Sequence, residues 1–288
     1  MKEGRALYLE HCPNLASVPT REAPASGQVL LRVHRGQIRY DERPILRDID
    51  LELRQGEVVA LMGPNGSGKT TLLRAIAGLH ALSAGEIVVG DKAAVDPVSG
   101  KSGRRIGFLP QRARALLFNE TVRKEIAFSL DHRERGSSVA ESLLREFDLT
   151  TFAASHPFDL SIGEQERVAL ATTLAGDPPI VLLDEPTRGL DSVRKQHLAA
   201  SLMSRARNGQ AIMVATHDAE FAASIATGVL LLGGGEIIAR GTPHEVLDGS
   251  LVYGTQINKV FGHGLLTLPE LFQAAGIPDI SDTEYITD

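Results

Sequence analysis

A single cysteine, Cys12, rules out an internal disulfide and suits a reducing compartment. His11 stands beside it, but no second Cys/His cluster follows, so half a metal site is left without its other half. The chain also has no excess of positive charge. Its 36 acidic residues outnumber 30 basic ones for a net charge of −6, which argues against a nucleic-acid binder relying on a basic surface. No apolar run approaches the length of a membrane span, and the first residues lack a signal-peptide pattern. Any membrane role must therefore come through a partner. There is no internal repeat. What is left, 288 residues at 43% hydrophobic and 23% charged, is the composition of a globular core of one large domain or two modest ones.

The most informative stretch runs from Val58 to Ala77. Val58-Val59-Ala60-Leu61 reads as a buried parallel strand, and Thr71-Leu72-Leu73-Arg74-Ala75-Ile76-Ala77 reads as a helix punctuated by Gly78. Between them lies Gly63-Pro64-Asn65-Gly66-Ser67-Gly68-Lys69-Thr70-Thr71, in which Gly63, Gly68, Lys69 and Thr70 match the spacing G-x-x-x-x-G-K-[ST]. That spacing suits a phosphate cradle. Glycines let the loop turn tightly with backbone N–H groups aimed inward. The helix that follows begins with unpaired N–H groups and about half a unit of positive charge. Lys69 is placed to reach the β- and γ-phosphates of a nucleotide, and the Thr70 hydroxyl to ligate Mg²⁺.

Around this stretch the chain alternates strands and helices. Residues 1–27 are broken by Pro13, Pro19, Pro24 and Gly27 and read as an extension or linker. Val29–Val33 and Ile45–Leu53 read as strands, with Tyr40 between them. Its ring suits either half-buried sheet surface or stacking on a base. Glu86–Val89 is a further strand, Asp96–Gly103 a polar loop, and Arg105–Leu109 a strand ending at the corner Pro110-Gln111. Residues 120–148 are helix-like, with Arg133–Ser138 separating two helices. Ser161 followed by Glu164 is a capping box opening another helix. Val229–Leu232 and Glu236–Ala239 flank a glycine run and read as a hairpin, and residues 243–288 as short helices with an acidic tail.

Two further strands end in polar residues. Ile180–Leu183 leads into Asp184-Glu185, and in an open α/β sheet such strand ends border the ligand crevice. Asp184 is expected to hold Mg²⁺ and Glu185 to act as general base on water. As neighbours on a strand they should face opposite ways and divide the roles. Ala211–Ala215 leads through Thr216 to His217, where a ring N–H could meet a γ-phosphate oxygen.

The order of these motifs resembles that of ABC-type nucleotide-binding subunits over residues 28–248. The resemblance rests on Gly63–Thr71, Gln111, Leu160–Gln165, Ile180–Glu185, Gly189-Leu190-Asp191 and His217. It implies an α/β P-loop NTPase fold: a RecA-like core, an antiparallel β subdomain and an α-helical subdomain at about residues 112–165. Residues 249–288 would form a C-terminal helical extension. It assigns Tyr40 to adenine stacking, Gln111 to Mg²⁺ and the attacking water, and Ser161 and Gly163 to the γ-phosphate held by an opposite subunit. Asp191 falls in a loop crossing the dimer interface, and His217 becomes a switch histidine. ATP and Mg²⁺ are the implied cofactors. The implied partners are a second ABC ATPase domain and an integral membrane transport subunit, at the cytoplasmic face of the membrane, with no nucleic acid.

Ala115–Phe128, Pro186–Asp191 and the ending Val260–Leu271 are similar to energy-coupling factor transporter ATPases, Pro186–Asp191 especially to the second half of tandem-fused members. This implies import of a vitamin or of cobalt or nickel. Glu120 and Glu125 are candidates for meeting basic coupling helices, or are solvated helix charges. The pattern departs from the family at one point: Ile162 replaces the first glycine of Leu-Ser-Gly-Gly, and a β-branched residue is poorly suited to close approach or positive φ. A soluble ABC ATPase without a transport partner, or an ATP-binding regulatory half of an asymmetric pair, are the alternative readings.

Overall fold

The computed structural model describes residues 27–90, 92–93, 106–130, 136–262 and 264–274. Cys12 and His11, the loop 96–103 and the acidic tail beyond 274 lie outside the described residues. Two sheets organise the rest. The first is antiparallel: β1 (Val29–Tyr40) pairs with β2 (Arg43–Arg54) and with β4 (Ala84–Val89), and β5 (Lys92–Ala93) closes its edge in the order β2-β1-β4-β5. Tyr40 is thus the last residue of a strand, not part of a connection between two.

The second sheet is mostly parallel. It contains β3 (Val58–Met62), β6 (Ile106–Leu109), β7 (Ile180–Asp184), β8 (Ala211–Ala215), β9 (Gly228–Gly233) and β10 (Glu236–Gly241), in the order β10-β9-β3-β8-β7-β6. Only β10 runs antiparallel, as the return arm of the hairpin from β9. The central strands β3, β7 and β8 are buried along their whole length. Strands covered on both faces need continuous apolar runs, and these three sequences supply them.

Strand alternation then divides the core. Val181 and Leu183 of β7, with Ile212 and Val214 of β8, face a helical layer. That layer is built from α2 (Val122–Leu130), α3 (Gly136–Glu146), α4 (Ile162–Ala175) and α5 (Ser192–Arg207). Ile180 and Leu182, with Met213, face α1 (Lys69–Ile76) and the antiparallel sheet through Leu31, Ile38, Leu46 and Leu53. Ala60 and Met62 of β3 pack under α6 (Ala219–Ile225) and α7 (Pro243–Leu247). Two short helices, α8 (Gln256–Phe261) and α9 (Leu268–Ala274), gather around Leu265 and Leu271. None of the described helices is long and apolar enough to cross a membrane.

Several boundaries move from their sequence-based places: β1 runs past Val33 to Tyr40, β2 starts at Arg43 and β4 at Ala84, and two helix starts shift. Helix α1 begins at Lys69, two residues before Thr71, because the end of the glycine loop is itself the first helical turn. Helix α3 begins at Gly136, inside the segment expected to separate two helices.

Candidate active site

The phosphate loop leaves β3 at Met62 and enters α1 at Lys69. Gly63 has φ +145°, and a Cβ there would stand 2.1 Å from the carbonyl oxygen of Leu232 on β9. Only glycine lets the loop start so close to the neighbouring strand. Gly68, at φ +108°, is the residue capping α1, and it offers no side chain to the first helical N–H groups. These donors need an acceptor. Ser67 Oγ is buried and has no hydrogen-bond partner. Lys69 Nζ folds back onto the carbonyl oxygens of Gly63 at 2.7 Å and Pro64 at 3.1 Å. Burial pulls its pKa down, while Glu185 and Asp184 push it back up. An uncapped helix start, an orphaned hydroxyl and a cation curled inside the loop together fit a polyphosphate.

β7 lies beside β8, which lies beside β3, and this order brings the acidic strand end to the loop. Thr70 Oγ1 donates to Asp184 Oδ2 at 2.7 Å across 114 positions of sequence. Asp184 is buried, and loss of solvent raises its pKa, an effect opposed by the Thr70 hydrogen bond. A hydroxyl and a carboxylate sharing one spot are a hard-oxygen donor set of the kind Mg²⁺ takes with substrate phosphates.

Glu185 is separated from Asp184 in an unexpected way. It does not continue the strand to the opposite face. Its N–H donates to the carbonyl of Ala215 at 2.8 Å, and its own φ is +54°. The backbone thus turns off the sheet into a conformation uncommon for a residue with a side chain. Glu185 Oε2 then lies 2.8 Å from His217 Nδ1. The carboxylate is only 10% exposed, whereas the histidine is 75% exposed at the rim. Gln111 is exposed two residues beyond Leu109, which pairs with Leu183, so it sits at the same end of the sheet.

Tyr40 is half-exposed, with its ring 5.0 Å from that of His80 at a tilt of 42°. His80, which sequence reading passed over, follows α1 and has no periodicity that would single it out.

Ser161, Gly163 and Asp191 are not hydrogen-bonded to this chain's own phosphate loop. Ser161 forms the expected capping box, accepting from Glu164 N and donating its own backbone N–H to Glu164 Oε2 at 2.7 Å. Asp191 caps α5 through Arg194 N at 2.8 Å. Hydrogen bonds lower the pKa of both carboxylates, Glu164 through Ser161 and Asp191 through Arg194. A Cβ on Gly163 would be 3.7 Å from the Gly189 carbonyl, so the start of α4 and the Asp191 loop are neighbours.

The expectation for Glu125 is overturned, and the positive-φ concern at Ile162 does not arise within the chain. Ile162 occupies the first turn of α4 with ordinary helical backbone, 76% exposed, so neither positive φ nor close packing within the chain penalises it. Glu125 is fully buried and accepts from Phe118 N, Asn119 N and Asn119 Nδ2 at 2.7–3.0 Å. It orders its own loop and cannot meet a basic partner. Glu120 is exposed and paired with Lys124 at 2.5 Å.

A glycine loop on a helix start, a Thr–Asp pair beneath it and a glutamate–histidine pair beside it define a P-loop nucleotide-binding site of the ATPase class. The family description of ABC transporters matches residues 46–188. A putative ABC transporter ATP-binding protein of Streptomyces coelicolor is 42% identical over 223 residues, covering 77% of this chain and 40% of that protein. The energy-coupling factor transporter ATP-binding protein EcfA of Methanothermobacter thermautotrophicus is 37% identical over 221 residues, covering 74% of this chain and 70% of EcfA. Among solved structures, cbiO1 of Clostridium perfringens, part of the cbiONQ transporter complex, superposes with a TM-score of 0.67 at 28% identity, over 76% of this chain and 90% of cbiO1. A dimeric ATP-binding cassette in a post-hydrolysis state with ADP and Pi gives the same TM-score and identity, over 74% of this chain and 98% of the cassette. The chain belongs to the ABC transporter ATP-binding proteins. It spans between 40% and 54% of the length of the first three curated relatives it matches.

Proposed function

We propose that this chain binds and hydrolyses ATP to power a membrane importer of the energy-coupling factor type, for a vitamin or for cobalt or nickel. The observation that carries the ATPase part is the junction of Thr70 with Asp184, with Glu185 and His217 at its side. The importer type is supported by the likeness to EcfA and cbiO1. The cassette comprises residues 28–248, with a helical subdomain at about 112–165. Residues 1–27 precede it and residues 249–288 extend it.

In this reading the amides of Gly63-Pro64-Asn65-Gly66-Ser67-Gly68, with Lys69, Thr70 and Thr71, hold the phosphates. Tyr40, backed by His80, takes the adenine. Thr70, Asp184 and Gln111 are the Mg²⁺ ligands, directly or through water. A bound Mg²⁺ supplies charge neutralisation at the phosphoryl oxygens. Glu185 accepts a proton from the attacking water, in a largely water-excluded position that strengthens the interaction. His217 donates to the γ-phosphate. Because Nδ1 faces the carboxylate, the neutral ring keeps its hydrogen there and must release Glu185, or become protonated, before it can donate elsewhere.

Ser161, Gly163 and Asp191 serve a second cassette across a dimer interface, and that cassette's equivalents serve this one. Contacts made only in the closed dimer bias closure, and loss of the γ-phosphate reopens it. The membrane subunit docks on the helical subdomain at the cytoplasmic face. An exposed aromatic surface there favours it: Phe118 and Phe128 meet edge to face with centroids 4.9 Å apart, and the guanidinium of Arg114 stacks 4.6 Å from the ring centre of Phe158. No nucleic-acid partner is proposed.

The deciding experiment is hydrolysis by Glu185→Gln in the complex that co-purifies from detergent-solubilised membranes. Retained ATP binding with lost turnover supports the reading. Normal turnover, or purification without any integral membrane protein, refutes the catalytic or the transport part respectively.

A further inference from the structure

The residues read as the interface loop and as the γ-phosphate donor begin two different helices, and one ion pair joins those helices. Asp191 caps α5, and its carbonyl oxygen accepts from Lys195 N at 2.9 Å. Lys195 Nζ reaches across to Asp218 Oδ2 at 2.5 Å. Asp218 is the residue after His217, and its other oxygen accepts from Phe221 N at 3.0 Å to cap α6. Its backbone N–H donates to Thr216 Oγ1 at 3.0 Å, and Thr216 is fully buried against β3, its N–H on the Leu61 carbonyl. His217 therefore sits between two anchored neighbours. From there its ring reaches Glu185.

We propose that Lys195 and Asp218 are positioning residues for the ATPase reaction, an ion pair that ties the seating of the Asp191 loop to the placement of His217. The assignment rests on the ATPase reading and on the roles given there to Asp191 and His217. Helix capping alone does not account for the pair. The cap on α6 uses only Oδ1, and asparagine would cap as well as aspartate. What the charge adds is the bond from Oδ2 to α5. Lys195 is 36% exposed and Asp218 14%, so the pair is shielded enough to hold one geometry without being sealed off. A shift of the Asp191 loop moves the first turn of α5, and with it the ammonium that Asp218 follows. Through Asp218 that shift biases the placement of the adjoining His217. Formation of the dimer at Asp191 is in this way felt at the γ-phosphate donor.

The test is the ATP dependence of steady-state hydrolysis by the full chain in the complex it purifies with, for Lys195→Met, Asp218→Asn, the double variant and Lys195→Arg. Each neutral variant should lower kcat about five- to tenfold with KM for ATP changed less than about twofold, the pattern of a group acting in the transition state and not in ground-state binding. The double variant should be no slower than the slower single one, because both remove the same bond. Lys195→Arg should recover most of the rate. Thermal melts separate these effects from misfolding, since Asp218→Asn keeps the cap. Unchanged kcat in both single variants, a change confined to KM, or fully multiplicative losses would overturn the assignment while leaving the ATPase reading intact. A wild-type complex that hydrolyses no ATP would overturn that reading, and this assignment with it.

Discussion

Glu185 Oε2 and His217 Nδ1 lie 2.8 Å apart, joining the ends of two adjacent parallel strands. The contact exists because Glu185 leaves β7 with φ +54°, which swings its side chain along the sheet end toward β8. In this arrangement Oε2 is hydrogen-bonded to the histidine, while Oε1 is left for the proposed proton transfer from water. Glu185→Gln should therefore bind ATP normally and lose hydrolysis by about 10²- to 10⁴-fold, the usual contribution of a positioned base. Fluorescent-nucleotide binding and phosphate release, measured on the same sample, check both halves of the statement.

Lys69 acts earlier, in binding. Its ammonium holds two loop carbonyls at 2.7 and 3.1 Å, inside the cradle. Removing a charge-assisted hydrogen bond of about 1.5–3 kcal/mol should weaken nucleotide binding about 10- to 100-fold in Lys69→Ala. Isothermal calorimetry is the direct measurement, and an unchanged Kd would remove the phosphate-loop argument.

Ile162 is a different kind of departure. It is exposed and unstrained, so Ile162→Gly should cost the isolated chain no more than about 0.5 kcal/mol, the difference in helix propensity. Under the proposed function any larger effect appears in the assembled dimer, where the start of α4 would face another cassette. Ile162→Gly should raise ATPase activity there, and a loss of activity would mean the isoleucine is part of a fitted interface.

Glu125 should behave as a structural residue. Glu125→Ala leaves two part-buried backbone donors and an amide without their carboxylate acceptor. Water can replace part of the lost acceptor, so at about 1.5–3 kcal/mol for a hydrogen bond to a charged group the variant should lose about 1–3 kcal/mol of stability. Chemical denaturation reads this, and an effect on transport with full stability would contradict it.

Glu166 predicts a pH dependence. Its Oε2 is buried beneath Gly189 without a hydrogen-bond partner. Burial raises its pKa, with Arg188 opposing. A carboxyl whose folded pKa is raised favours the folded state fully below its unfolded pKa and loses that advantage as pH rises through the folded value. Glu166→Gln, which stays neutral, should therefore raise the melting temperature at neutral and higher pH. The gain should shrink as the pH falls toward the ordinary glutamate range. A gain that is the same at every pH would mean that ionisation is not the cause.

Much of this protein was written locally. The buried runs of β3, β7 and β8, the glycine spacing before Lys69 and the Ser161–Glu164 box are short-range patterns. Strand burial, loop geometry and helix capping depend on residues only a few positions apart, so the sequence by itself determined these elements and placed Lys69, Asp184, Glu185 and His217 at their ends. The tertiary structure decided which of those ends meet. Thr70 finds Asp184 across 114 positions because β8 is inserted between β3 and β7, and no local pattern states that order. It also decided that Glu125, read as a surface charge, is an internal cap, and that Lys195 reaches Asp218. A charged side chain in a helix looks the same in sequence whether it meets water or a partner. Its role is set by the desolvation and hydrogen bonds that packing imposes, and these exist only once distant segments have come together.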